Sequence, residues 1–243
     1  MTAHLDLHDP TATIHDISVP IRADMATWHN LHRPHQAWRS RTAVGDRTSL
    51  STWTMDSHTG THLDAPLHHL PGGAPTSEVD LGRLVGLCRV LDLTTAAGHI
   101  TAADLEHHVP ARGERLLLKT RNSTRGLLRD GSFAPDYVGL APDAARLLVD
   151  RGVSTVGVDY LSVEPPEHAD FVTHHTLLGA DTAVLEGILL DHITPGPYLL
   201  ACLPLALTDA EAAPARAVLL TTPGAAPGAA VPNQARPATT ELP

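Results

Sequence analysis

The stretch from Asp56 to His69 reads Asp-Ser-His-Thr-Gly-Thr-His-Leu-Asp-Ala-Pro-Leu-His-His, and it concentrates residue types that bind divalent cations and move protons. Neutral imidazole nitrogens and a carboxylate oxygen suit zinc or manganese, and a carboxylate has a second oxygen with which to bridge two ions. Histidines four apart, as at His58 and His62, would share one face of a helix. Gly60, the β-branched Thr59 and Thr61, and Pro66 disfavour a helix interior through backbone entropy, χ1 crowding and a missing N–H. On an extended chain side chains alternate, so the spacing predicts that His58, His62, Asp64 and His68 point to one side. The competing reading is a polar strand of hydrogen-bonded surface histidines; three ligands in register with Gly and Pro weigh against it.

Such a segment needs a frame. Runs rich in branched and aliphatic residues, bounded by turn formers, predict strands at Ala12 to Val19, Thr48 to Met55, Leu84 to Leu93, Arg115 to Thr120, Thr155 to Val158 and Ala217 to Thr221. Helices are expected over Thr101 to His107, behind a Thr cap, and over Asp143 to Asp150, between Pro142 and Gly152. Asp181 to Leu190 reads as a further amphipathic segment, short or irregular because Gly187 interrupts it. Arg121 to Arg125 reads as a polar loop whose arginines meet a substrate carboxylate or water, and Arg216 as a buried ion-pair partner. The pattern is mixed α/β with an appreciable β core.

The 243 residues carry 17 Lys and Arg against 27 Asp and Glu, a formal charge of −10 with histidine neutral, and lysine occurs once, at Lys119. No continuous basic track exists for counterion release, so neither nucleic acid nor a membrane surface is the expected partner. Charged residues make up 18% and apolar ones 42%, which suffices for a core without disulfides. Cys88 and Cys202 lie far apart in apolar runs and read as core thiols of a reducing compartment. An acidic start without an apolar stretch argues for a cytoplasmic protein, and the longest apolar run, Tyr198 to Leu207, is too short to span a membrane. We expect a flexible N-terminus over residues 1–10, one domain over 11–221, and a disordered Ala/Pro/Gly-rich tail over 222–243.

The pattern H-x-G-T-H-x-D-x-P-x-H, formed by His58, Gly60, Thr61, His62, Asp64, Pro66 and His68, resembles the metal-dependent cyclase family that includes bacterial kynurenine formamidase and isatin hydrolase. The resemblance continues through GVDYLSVEPPE (Gly157 to Glu167), His174, LEGILL (Leu185 to Leu190), YLLACLPLAL and APARAVL, in family order over about 200 residues. It implies an α/β, swivelling-domain-like architecture with a β-barrel-like core and flanking helices. It implies a metal site completed by a histidine and, twelve residues on, a glutamate, an interval matched by His174 and Glu186. The implied ligands are therefore His58, His62, Asp64, His174 and Glu186, with Asp64 shared where two ions bind. The neighbours His175 and His69 are the alternatives to His174 and His68.

The resemblance further implies zinc or manganese, one or two ions per subunit, a small-molecule substrate, and a homo-oligomer, dimer or tetramer, whose subunits help to shape the pocket. Metal chemistry on an amide C–N bond needs an acidified water, a polarised carbonyl and a proton for the departing nitrogen. His68 is the expected acid–base. Trp28 stands where the formamidases place a tryptophan over an aromatic substrate, but the Pro-Gly-Asp that would follow is replaced by His29, Asn30 and Leu31, then His32, Arg33 and His35. The leading substrate is an aryl formamide such as N-formylkynurenine. The alternatives are a cyclase or dehydratase of secondary metabolism, or isatin-type ring opening; loss of the metal site would have pointed to a non-catalytic binding protein.

Overall fold

A computed structural model describes residues 13–221; the expected flexible start and the expected tail lie outside them, as do residues 11 and 12 of the expected domain. The strands are β1 (Ile14–Asp16), β2 (His35–Ser40), β3 (Leu50–Thr54), β4 (His62–Asp64), β5 (Val85–Asp92), β6 (Arg115–Lys119), β7 (Thr155–Val158), β8 (Ala183–Glu186), β9 (Gly196–Pro204) and β10 (Ala212–Leu220). The helices are α1 (Ala102–Glu106), α2 (Arg121–Arg125), α3 (Pro142–Arg151) and α4 (Val172–Gly179).

β5 to β8 run parallel as neighbours, and β4, β10 and β9 complete the ring antiparallel. Closure depends on β10, whose first residues, Ala212 to Pro214, pair with β4 while Ala215 to Leu220 pair with β9. Seven strands thus form a barrel, with β1 added outside the ring along the end of β10.

Strand parity divides the core. Cys88, Val90, Leu117, Leu185, Leu200, Cys202, Ala217 and Leu219 fill one cluster, the barrel interior. Residues one step out of phase, Leu91, Leu116, Leu118, Val156, Val158 and Val184, pack instead with Ala144, Leu148, Leu177 and Leu178 of α3 and α4. Parallel strands buried on both faces read as unbroken apolar runs for this reason. The two cysteines are buried free thiols, as expected.

α1 starts behind Thr101 with a reciprocal capping box to Asp104, and α3 ends at Gly152 in the left-handed conformation. Four expectations change. Asp181 to Leu190 is not helical: Ala183–Glu186 form β8, because a buried slot between β4 and β7 outweighs amphipathic spacing. Arg121 to Arg125 form α2, and their arginines meet the Ala96 and Ala97 carbonyls and Asp136. Arg216 makes its ion pair, with Asp16, but its side chain is 74% exposed. The last strand begins five residues earlier than its β-branched run, at Ala212.

Candidate metal centre

β4 holds only His62 to Asp64, so the expected single extended segment is corrected: His58 precedes it in a turn, and His68 closes a one-turn 3-10 helix, Pro66–His68. His62 lies directly opposite Glu186 in the β4–β8 ladder, which puts both side chains on one face. That face is also Val184's, on the side of the barrel wall covered by α4.

The motif's small residues set this alignment. Gly60 and Gly187 both have positive φ, and a Cβ on Gly187 would meet the Gly60 carbonyl oxygen at 2.3 Å. Thr61 Oγ1 donates to the Gly187 carbonyl at 2.5 Å and accepts from the Val19 N–H at 2.8 Å. The turn before His62 and the turn after Glu186 are therefore tied together.

His62 Nδ1 lies 2.9 Å from the Gly60 carbonyl, to which it can only donate, leaving Nε2 3.4 Å from both Asp64 Oδ1 and Glu186 Oε2. His174, on the first turn of α4, lies with Nδ1 3.0 Å from Glu164 and Nε2 3.3 Å from Glu186 Oε1 and 3.6 Å from Asp64 Oδ2. His58 Nδ1 approaches Asp64 Oδ1 at 3.1 Å, and its Nε2 lies 3.6 Å from Glu211, which accepts from Ser57 Oγ. The other Glu186 oxygen side is anchored by the Val163 N–H, 2.6 Å from Oε1. All five expected ligands converge, and His174 rather than the exposed His175 faces the cluster.

The electrostatics describe a nest made for a cation. Burial alone would push the His62 and His174 imidazoles down, but Asp64 and Glu186, joined at His174 by Glu164, outweigh it and raise both to about 10. Burial pushes the Asp64 carboxyl up, yet His58 and His62 hold it well below the usual range, and Glu186 is lowered by His174 and His62. His68 goes the other way: burial lowers it, keeping the ring neutral at pH 7. The His68 ring stands 4.2 Å from His58 and 5.9 Å from His174.

The fit to a metal ion can be tested on the atoms themselves. His58 Nε2, His62 Nε2, both Asp64 oxygens and His69 Nε2 are buried without a hydrogen-bond partner. Unsatisfied buried polar atoms cost about 1–3 kcal/mol each, so a cluster of them demands an occupant. Donor atoms of His62, Asp64 and Glu186, of His58, Asp64 and His68, and of His68, His69 and His174 form three sets, each within 4.8 Å. Imidazole and carboxylate together match a divalent cation.

Trp28 stands among other aromatic rings. Its ring contacts are His29, Phe133 and Tyr137, at 5.0, 5.0 and 6.2 Å, and Tyr137 donates to the Glu164 carbonyl at 2.6 Å. The aromatic cluster thus abuts the support of His174 rather than the histidines. Sequence reasoning missed Glu164 and Glu211, and weighed His69 only as the alternative to His68. Glu164 sat inside the quoted GVDYLSVEPPE block, but nothing local separates it from Glu167; its signal is three-dimensional.

A closed mixed barrel with a buried imidazole–carboxylate nest on its helix-covered wall is the architecture of a metal-dependent enzyme. The chain belongs to the cyclase family, whose model, described as "Putative cyclase", matches residues 15–165. It is 35% identical over 209 residues, 86% of this chain and 97% of the relative, to the kynurenine formamidase of Salinibacter ruber (strain DSM 13855 / M31). A solved structure titled as a "predicted metal-dependent hydrolase from Bacillus stearothermophilus" is 34% identical, with a TM-score of 0.76 over 86% of this chain and 98% of that one. An isatin hydrolase bound to the product analogue thioisatinate shares the fold at 19% identity, with a TM-score of 0.76 over 87% of this chain and 93% of that one.

Proposed function

We propose that the chain hydrolyses the amide C–N bond of an aryl formamide of the N-formylkynurenine type, releasing formate and an aryl amine. The observation that carries this reading is the set of orphaned donors on His58, His62 and Asp64 beside the His68 ring, 4.2 Å from that of His58; the formamidase relatives give it a substrate class. His58, His62, Asp64, His174 and Glu186 would hold a divalent cation, zinc or manganese, one or two per subunit. When bound, such an ion acidifies water and polarises the substrate carbonyl.

The chain's own groups supply the rest. The Gly60 carbonyl and the Glu164 carboxylate accept hydrogen bonds from the Nδ1–H groups of His62 and His174, which turns both Nε2 lone pairs into the nest. His68 takes a proton from the attacking water and returns it to the departing nitrogen, a task suited to an imidazole neutral at working pH. Trp28 and Phe133 offer aromatic surface to the aryl group; Trp28 is 43% exposed.

The reading is tested by formate release from N-formylkynurenine with metal-reconstituted protein, and by loss of both bound metal and release in a His62→Ala variant. A metal-loaded protein that releases no formate would transfer the assignment to a cyclase, dehydratase or isatin-type hydrolase. The observation favouring that second reading is the His29 to His35 loop, where His29, Asn30 and His32 all take positive φ, a conformation that a proline at position 29 could not adopt.

For assembly the reading is a homodimer or tetramer. β2 and β3 form a separate two-stranded ribbon with Trp38 and Trp53 on one face, 46% and 42% exposed, and such a ribbon is marginal unless covered. For compartment it is the cytoplasm, supported by two unpaired thiols; among the described residues no helix is long and apolar enough to cross a membrane.

A further inference from the structure

His69 is unexplained by the reaction. Its ring is wedged against His68, His174 and Phe171, with centroids 4.1, 4.4 and 4.9 Å away, and its Nε2 is buried without a partner. Donor nitrogens of His68, His69 and His174 lie within 4.8 Å of one another. Because Glu164 engages His174 Nδ1, the nitrogen His174 offers to this trio is Nε2, the same one that faces Asp64 and Glu186.

We propose that His68, His69 and His174 form a second, all-imidazole position for a divalent cation, and that filling it inhibits the enzyme. The inference rests on the acid–base role given to His68 above: a nitrogen lone pair bound to a cation cannot accept a proton. An ion there also competes for His174 with the carboxylate-rich position. Three imidazoles with an open fourth place suit zinc, copper or nickel, whereas manganese prefers the oxygen-rich set. Excess zinc is therefore inhibitory and excess manganese is not.

The test titrates the metal-free full-length chain with Zn2+ by calorimetry, and follows formate release across the same range of Zn2+ and of Mn2+. Wild-type protein should show a tight step and a weaker one, with activity falling as the weaker step fills with Zn2+ and holding in Mn2+. His69→Phe removes one of three ligands, so the weaker step and the inhibitory limb should move to higher Zn2+ by at least the roughly 10- to 100-fold seen when an outer-shell partner is lost. Identical isotherms and inhibition in wild type and variant would overturn the proposal. His62→Ala should lose the tight step; if that step survives, the primary ligand assignment fails independently of His69. Should His69→Phe not fold, the wild-type comparison decides alone, since equal inhibition by Zn2+ and Mn2+, or none by either, overturns the selective site.

Discussion

Glu164 holds His174 twice: its carboxylate accepts both the backbone N–H and the ring Nδ1–H of the histidine, each at 3.0 Å, and also the Thr173 N–H at 3.3 Å. One buried acid therefore starts α4 and chooses the tautomer of the histidine that α4 delivers. α4 has no side-chain cap of its own, and its N-cap Phe171 sits in the left-handed region. A carboxylate on the first free N–H groups of a helix also complements its dipole.

Glu164→Gln should therefore act through metal rather than chemistry. The amide keeps the shape but loses the charge that secures Nδ1–H, and we expect affinity for the ion to fall about 10- to 100-fold, as for outer-shell partners of other metal-bound histidines. Metal content after dialysis against a competing chelator measures it. Unchanged affinity would show that Glu164 serves only the helix.

His68→Ala should behave in the opposite manner. Bound metal is retained at the primary ligands, while turnover drops by something like the 10² to 10⁴ characteristic of a general acid–base. Parallel metal analysis and formate assay separate the two effects; loss of metal together with activity would make His68 a primary ligand.

Gly187→Ala should be destabilising beyond an ordinary surface change. The new Cβ meets a backbone oxygen at 2.3 Å, and φ is +70°. The left-handed backbone alone costs an alanine roughly 1–2 kcal/mol, and the overlap adds to it. For a domain of this size each 1 kcal/mol shifts Tm by about 2–4 °C, so a melting curve reads the result directly. The same overlap pushes Glu186 away from His62, and metal affinity should fall with stability.

The metal-free protein should lose stability as pH rises from about 7 to 10. His62 and His174 are raised from 6.5 to about 10, so their protonated forms contribute stability that is complete below pH 6.5 and lost as pH climbs through the folded value. The metal-bound protein has already displaced those protons, so the Tm gain on adding metal should grow over the same window. A metal-free Tm that stays level or rises there would show that the two histidines are neutral in the nest.

Legibility followed the range of the forces involved. α1 and α3 could be read because Thr101, Pro142 and Gly152 act on backbone groups a few residues away. The sequence around β8 reads as a helical segment and that of α4 carries no start signal, because what stabilises each comes from afar: β4 and β7 for one, the Glu164 carboxylate for the other. The convergence was legible in part for a different reason, since the spacing of His58, His62, Asp64 and His68, with the resemblance for His174 and Glu186, pointed to side chains that do come together, though not along one extended segment.

What the chain settled unaided was chemistry: which donors are present, in what order, and that Gly60 and Thr61 stand beside them. Convergence was decided only in three dimensions. A strand of three residues cannot span His58 to His68, so two turns, a cross-strand partner 124 positions away and a helix pinned by Glu164 bring the donors together. Parity and capping are local and leave marks in the sequence; the pairing of His62 with Glu186 depends on a closed barrel, which no local signal encodes.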